Sequence, residues 1–345
     1  MKRFSLLVFC FLFLLTSCSS KGPVTLTVMT HDDFYASESV IAGFEQQNNV
    51  KVTFLKGGSV SEALNKAILT RDAPLADVFY GVDNAFLSRA LDADIYEPYA
   101  SPLLAYIPDG LKLDARNRLS PVDHGYTCVN YDKAFLAAHS LPVPATLEDL
   151  LKPEYKGLFV VENPATSSTG LTFLLATVAH FGDPGYLDYW RALRENGLVV
   201  VDDWGTAYWT NFSGSSGHGS QPIVVSYASS PAAEVVSANP PVTEAPTAAM
   251  LAPGTCSHQI EFVGILKGTK QRALAEKFVD FMLSQQFQED MPLQMYVYPV
   301  NPGAKLPDVF VKYAQVPEQP AVLDPAAIAA NRDKWIADWT TAVLH

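Results

Sequence analysis

The chain has 345 residues, 48% of them hydrophobic and 17% charged, with a formal net charge of −12 at pH 7. That length supports two packed units with ample core, and the composition excludes a disordered chain. The acidic balance speaks against a nucleic-acid partner, whose phosphates demand a basic surface, and favours a cationic ligand.

At the N-terminus Lys2 and Arg3 precede an apolar run over 4–15 and then Thr16, Ser17 and Cys18. The run is too short to span a bilayer but has the length of a signal-peptide core. Residues 15–18 (LTSC) resemble the lipobox of bacterial lipoproteins, in which the cysteine is lipidated and becomes the mature N-terminus. The expectation is a signal peptide over 1–17, a tether over 18–23, and an exported protein, periplasmic or extracytoplasmic, that touches the membrane through its lipid anchor alone. Cys10 falls in the signal and Cys18 in the lipobox. Cys128 and Cys256 remain, either as a bridge or as two buried thiols, both admissible in an exported chain. No Cys/His spacing suggests structural zinc.

Residues 24–29 (VTLTVM) alternate and read as a strand, followed by a polar loop with His31, Asp32 and Asp33. A helix over 37–47, a strand over 50–55, a loop with Gly57, Gly58 and Ser59, and a second helix follow. The strand starting at 77–80 is expected to end in a loop with Gly81, Val82, Asp83 and Asn84. Strands alternating with helices predict a mostly parallel sheet, with ligand-binding loops beyond the carboxyl ends of the strands. Residues 97–121 read as irregular, and 122–131 as a strand.

Residues 157–161 (GLFVV) read as a short buried strand, and 171–181 as an apolar helix. Between them Thr166, Ser167, Ser168, Thr169 and Gly170 supply hydroxyls and a flexible turn. Such a junction aims free backbone N–H groups at an anion, and it equally serves as an ordinary helix cap. Further strands are expected over 198–201, 223–227 and 259–266, with an extended piece over 296–300. Helices are expected over 272–283 and 324–344, and 213–220 (SGSSGHGS) reads as a flexible insertion. Two α/β blocks followed by a returning third section imply two lobes joined by crossing strands, a hinge-closing design. The expected boundaries are 24–121 with 257–292 for lobe 1, and 122–256 with 293–345 for lobe 2.

No nucleophile elbow, phosphate-binding loop, zinc-protease or calcium-loop motif is present, and nothing suggests a cofactor or an enzyme. Aromatics (Trp204, Tyr208, Tyr227, Tyr296, Tyr298) and acids (Asp32, Asp33, Asp83, Asp123, Asp202, Asp203, Glu261) gather instead at predicted strand ends. Aromatic faces stack on flat heterocycles and attract cations, which carboxylates neutralise.

The segments 26–34 (LTVMTHDDF), 76–87 (ADVFYGVDNAFL), 122–132, 163–171, 204–208, 225–231 (VSYASSP), 259–261 and 296–300 (YVYPV) carry a resemblance. In this order the chain resembles the periplasmic thiamine-binding proteins of ABC importers, within extracellular solute-binding protein family 1. The resemblance implies the type II periplasmic-binding-protein fold: two α/β lobes, a hinge and a ligand cleft between them. It implies thiamine, thiamine phosphate or thiamine diphosphate as ligand, ABC permease subunits as partners, and a monomer. It also implies a binding set of His31, Asp32, Gly58, Ser59, Asp83, Thr166, Ser167, Ser168, Trp204, Tyr208, Tyr227, Glu261 and Tyr296. Tyr227 and Tyr296 would embrace the pyrimidine, and Ser167 and Ser168 would form a phosphate turn. The chain departs from the family pattern at His31, where a Tyr is expected, and at Tyr296, where a Trp is expected. It departs again at Gly57, Gly58 and Ser59, where an Asp-Gly pair is expected. A ferric-ion or polyamine receptor of the same fold, or a secreted pyrimidine-precursor enzyme, are the alternatives.

Overall fold

The computed structural model describes residues 23–215 and 219–345. The expected signal peptide, the lipidation site Cys18 and the middle of the 213–220 insertion lie outside the described residues. The strands are β1 (Val24–Thr30), β2 (Val50–Lys56), β3 (Val78–Asp83), β4 (Tyr96–Glu97), β5 (Ser120–Asp132), β6 (Phe159–Glu162), β7 (Val199–Val201), β8 (Ile223–Tyr227), β9 (Thr247–Ala249), β10 (Ser257–Leu266) and β11 (Tyr298–Pro299). The helices are α1 (Glu38–Asn48), α2 (Val60–Leu69), α3 (Leu87–Asp92), α4 (Lys133–Ala138), α5 (Ser168–Phe181), α6 (Gly185–Glu195), α7 (Ser230–Ser237), α8 (Arg272–Leu283), α9 (Gln285–Gln294), α10 (Asp308–Tyr313) and α11 (Pro325–Leu344).

Among the described residues these strands form one curled sheet in the order β2-β1-β3-β10-β5-β8-β6-β7. Its two ends are parallel, β1 with β2 and β3, and β6 with β7 and β8. The middle is not. β10 runs antiparallel to both β3 and β5, and β5 antiparallel to β8. The expected mostly parallel sheet is therefore corrected to a mixed one, because the two longest strands return through the centre instead of following a βαβ crossover. This is the two-lobed α/β fold, with β5 and β10 passing between the parallel ends.

Two local expectations also change. β3 continues through Gly81, whose φ of +107° places His31 against it, so Val82 and Asp83 are strand and not loop. The extended piece at 296–300 shrinks to Tyr298–Pro299, because Tyr296 takes φ +55°. α11 packs on α6, and Trp335 of α11 donates to Asp183 at 3.1 Å. Cys128 on β5 and Cys256 at the start of β10 are disulfide-bonded, with both residues fully buried. Among the described residues no helix is long and apolar enough to cross a membrane.

Candidate functional site

Side chains alternate across a strand, and on β5 and β10 this sorts polar groups cleanly. His124 and His258 face one side and bond each other at 3.1 Å. Asp123 and Glu261, register partners across the β5–β10 ladder, face the other. There Tyr80 of β3 brings its hydroxyl to 2.6 Å from Asp123 Oδ2 and 2.9 Å from Glu261 Oε2. A phenol has one proton, so it can donate to one carboxylate only, and the second contact requires a proton on a carboxyl. Burial, with the charge of Glu261, holds Asp123 far above the usual carboxylate range. Burial would raise Glu261 as well, but the neighbouring His31 outweighs it and the carboxyl is held low. The His31 Nε2–Glu261 Oε1 pair stands at 3.4 Å, close enough for charge attraction but without hydrogen-bond alignment. Burial works to lower His31, and the charge of Glu261 overcomes it and raises the imidazole. These shifts favour charge on His31 and Glu261 and a proton on Asp123.

Asp83, at the end of β3, is fully buried and accepts from the backbone N–H groups of Ala85 and Phe86 at 3.0 and 3.1 Å. Gln259 donates to it at 3.4 Å, and the Ser168 hydroxyl of α5 also favours its charged form. Burial and Glu261 nevertheless push it up to about 7. Ser61 of α2 donates to the Thr166 carbonyl at 3.4 Å. Through these two contacts the β3 and α2 side meets the 163–170 turn.

The turn itself is a built helix start. Ser167 caps α5 by accepting from Gly170 N–H at 3.3 Å, Thr166 donates to the Asp202 carbonyl at 2.6 Å, and Thr169 bonds the Tyr227 hydroxyl at 2.8 Å. Each hydroxyl already has a protein partner. Beside it Trp204 stacks on Tyr208 with centroids 5.0 Å apart and stands 6.2 Å from Tyr227, its indole N–H donating to Ser226 at 2.9 Å. Tyr208 is 1% exposed and lies behind Trp204, its phenol facing Glu234. Tyr296 packs against the group formed by Tyr298, Phe310 and Ala314.

Three residues of the expected set serve the scaffold here. Asp32 is exposed and accepts from Gly58 N–H at 3.0 Å, tying two loops together. Gly58 takes φ +94°, and Ser59 caps α2 in a reciprocal box with Glu62. Conversely, Tyr80, Gln259 and Glu162 belong to the site and escape a reading by residue pattern. Tyr80 sits inside an apolar strand and Gln259 within a long one. Glu162 falls between a strand read to Val161 and a turn read from Asn163. A carboxylate closing an apolar strand was the available signal. Among the described residues no group of three or more His, Cys, Asp and Glu is arranged to hold a metal ion.

The buried acids set a pH response. Burial pushes Glu162 up to about 8, with Asp203 adding to the shift and its own backbone N–H offsetting part of it. With Asp83 at about 7 and His31 also raised, these groups bind more protons in the native state than in the unfolded chain, while the buried His124 and His258, pushed down to about 4, oppose them below pH ~6.5. Above that, stability falls as pH rises. Thermal unfolding of the ligand-free protein should show this loss from pH ~6.5 to ~9, and a flat profile over that range would refute it.

A two-lobed α/β fold with acidic and aromatic side chains gathered at its junction fits a solute receptor. A family model described as bacterial extracellular solute-binding protein matches residues 73–320. The chain belongs to that family. It is 30% identical over 337 residues to a thiamine-binding periplasmic protein of Salmonella typhimurium, covering 96% of this chain and 97% of that one. A solved periplasmic thiamin binding protein superposes with a TM-score of 0.81 at 28% identity, covering 93% of this chain and 96% of the other. A ferric binding protein from Campylobacter jejuni superposes at 0.76 with 19% identity over 92% of this chain and 99% of that one, which shows a shared fold alone. The named relatives are binding proteins, and the expected periplasmic-binding-protein fold is borne out.

Proposed function

We propose that this receptor captures thiamine, thiamine phosphate or thiamine diphosphate between its lobes and delivers it to ABC permease subunits as a monomer. The observation that carries the reading is a surplus of buried carboxyl groups beside an aromatic wall. Asp83, Asp123, Glu162 and Glu261 are all buried, against His31 within the cluster and Lys56 at the rim. Lys56 is itself engaged by the Asp32 and Phe34 carbonyls and lies over the Tyr35 ring at 4.9 Å. A flat, cationic, donor-bearing heterocycle complements such a surface. The thiamine-binding relatives support the same ligand.

In this reading lobe 1 comprises 24–121 and 257–292, lobe 2 comprises 122–256 and 293–345, and they close over β5 and β10. Ligand binding works by favouring the closed state. Cys18 carries the lipid anchor, and mass spectrometry finding Cys18 unacylated in the mature protein would remove that part. The ligand assignment is tested by native mass spectrometry of protein purified from rich medium, then calorimetry. Thiamine, both phosphates, the pyrimidine half, ferric citrate and a polyamine form the panel. Binding of a thiamine compound is expected, and failure of all of them removes thiamine while leaving the family intact.

A further inference from the structure

Glu162 ends β6, immediately before the 163–170 turn. By strand alternation it shares a face with Val160, which packs with Ala207, Tyr208 and Val224 alongside Trp204. The first turn of α5 lies directly over it: a Cβ at Gly170 would come 2.4 Å from the Glu162 carbonyl oxygen and 3.1 Å from its Cβ. The residue is 0% exposed, and neither carboxyl oxygen has a hydrogen-bond partner on another residue. Trp204 packs on that same cluster, so this face of β6 backs the aromatic wall.

Interiors leave few polar groups unpaired, because each such group forfeits its hydration without return. Glu162 caps no helix and joins no ion pair among the described residues, so the scaffold gives no reason to keep it. A carboxylic acid offers an O–H donor beside a carbonyl acceptor. The matching ligand edge is a ring nitrogen acceptor next to an amino N–H donor. We infer that Glu162 is a specificity-determining residue, pairing through its carboxylic acid with the amino and ring-nitrogen edge of an aminopyrimidine ligand. The inference rests on the thiamine reading above and assigns that reading's pyrimidine a partner.

The test compares thiamine with an analogue in which hydrogen replaces the amino group, by calorimetry on the wild-type protein, Glu162→Leu and Glu162→Gln. Wild type should prefer thiamine by about tenfold or more. Glu162→Leu should bind thiamine about tenfold or more weakly and lose the preference. Its ligand-free thermal midpoint should hold or rise, since an unpaired acid has gone. Glu162→Gln, whose amide also offers a donor beside an acceptor, should retain most of the preference. Should the Leu variant not fold, Glu162→Met, unbranched and close to Glu in length, provides the same ratio. A folded apolar variant with the wild-type ratio of affinities for thiamine and the deamino analogue overturns the assignment of Glu162 alone. Wild-type protein binding neither compound overturns the thiamine reading with it.

Discussion

Replacing Cys128 and Cys256 together by alanine should lower the stability of the ligand-free protein by about 2–5 kcal/mol. The bridge closes a chain separation of 128 residues, so its loss releases a large loop in the unfolded ensemble. Alanine is the informative replacement because the pair is buried among Ala228, Tyr126, Ala249 and Leu251, where a serine hydroxyl would add its own cost. The bridge also joins the two strands that pass between the lobes, at the end of the β5–β10 ladder. Urea unfolding followed by intrinsic fluorescence measures the change, and a midpoint equal to wild type under oxidising conditions would contradict it.

Tyr227→Ala should weaken thiamine binding by about 1–3 kcal/mol, the range for losing an aromatic and cation–π face in a desolvated site. Thr169 holds the Tyr227 hydroxyl at 2.8 Å and Trp204 stands beside its ring, so the face is fixed before a ligand arrives. Pre-organisation of this kind turns contact into affinity, because no side-chain freedom is lost on binding. Tyr227→Phe keeps the face and gives up only the hydroxyl, and should cost about 0.5–1.5 kcal/mol. Calorimetry on both variants separates the two contributions. Equal losses in the two would assign the effect to the Thr169 bond and not to stacking, and wild-type affinity in Tyr227→Ala would remove Tyr227 from the site.

The elements read most directly from the residues are those whose signal is local. β8 and α8 match their expected limits, because a run of β-branched residues and a 3.6-residue apolar period decide them within a few turns of chain. The same holds for the start of α5, where Ser167 does what a Ser before an apolar run is expected to do. The anion-ready reading of that start is a different matter. Its hydroxyls are bonded to Gly170, Asp202 and Tyr227, which lie between three and sixty residues away, and no local pattern reports on that. Tyr208 illustrates the same limit. Its position beside Trp204 is visible in the spacing, but its burial behind that ring depends on Val160 and Val224 from two other strands.

By itself the sequence determined that this is an α/β chain, the limits of elements such as β8 and α8, the acid and aromatic richness of its strand ends, and its likeness to solute receptors. Those properties follow from composition, periodicity and short ordered motifs, each confined to neighbouring residues. The tertiary structure alone decided that β5 and β10 run antiparallel through the middle of the sheet, that Cys128 meets Cys256, and that Tyr80, Asp123, Glu261 and His31 meet in one buried cluster. It also decided that Glu162 stands buried without a partner. Charge pairing and desolvation depend on which groups lie within a few ångströms, and those neighbours come from segments more than two hundred residues apart. Only the assembled sheet brings them together.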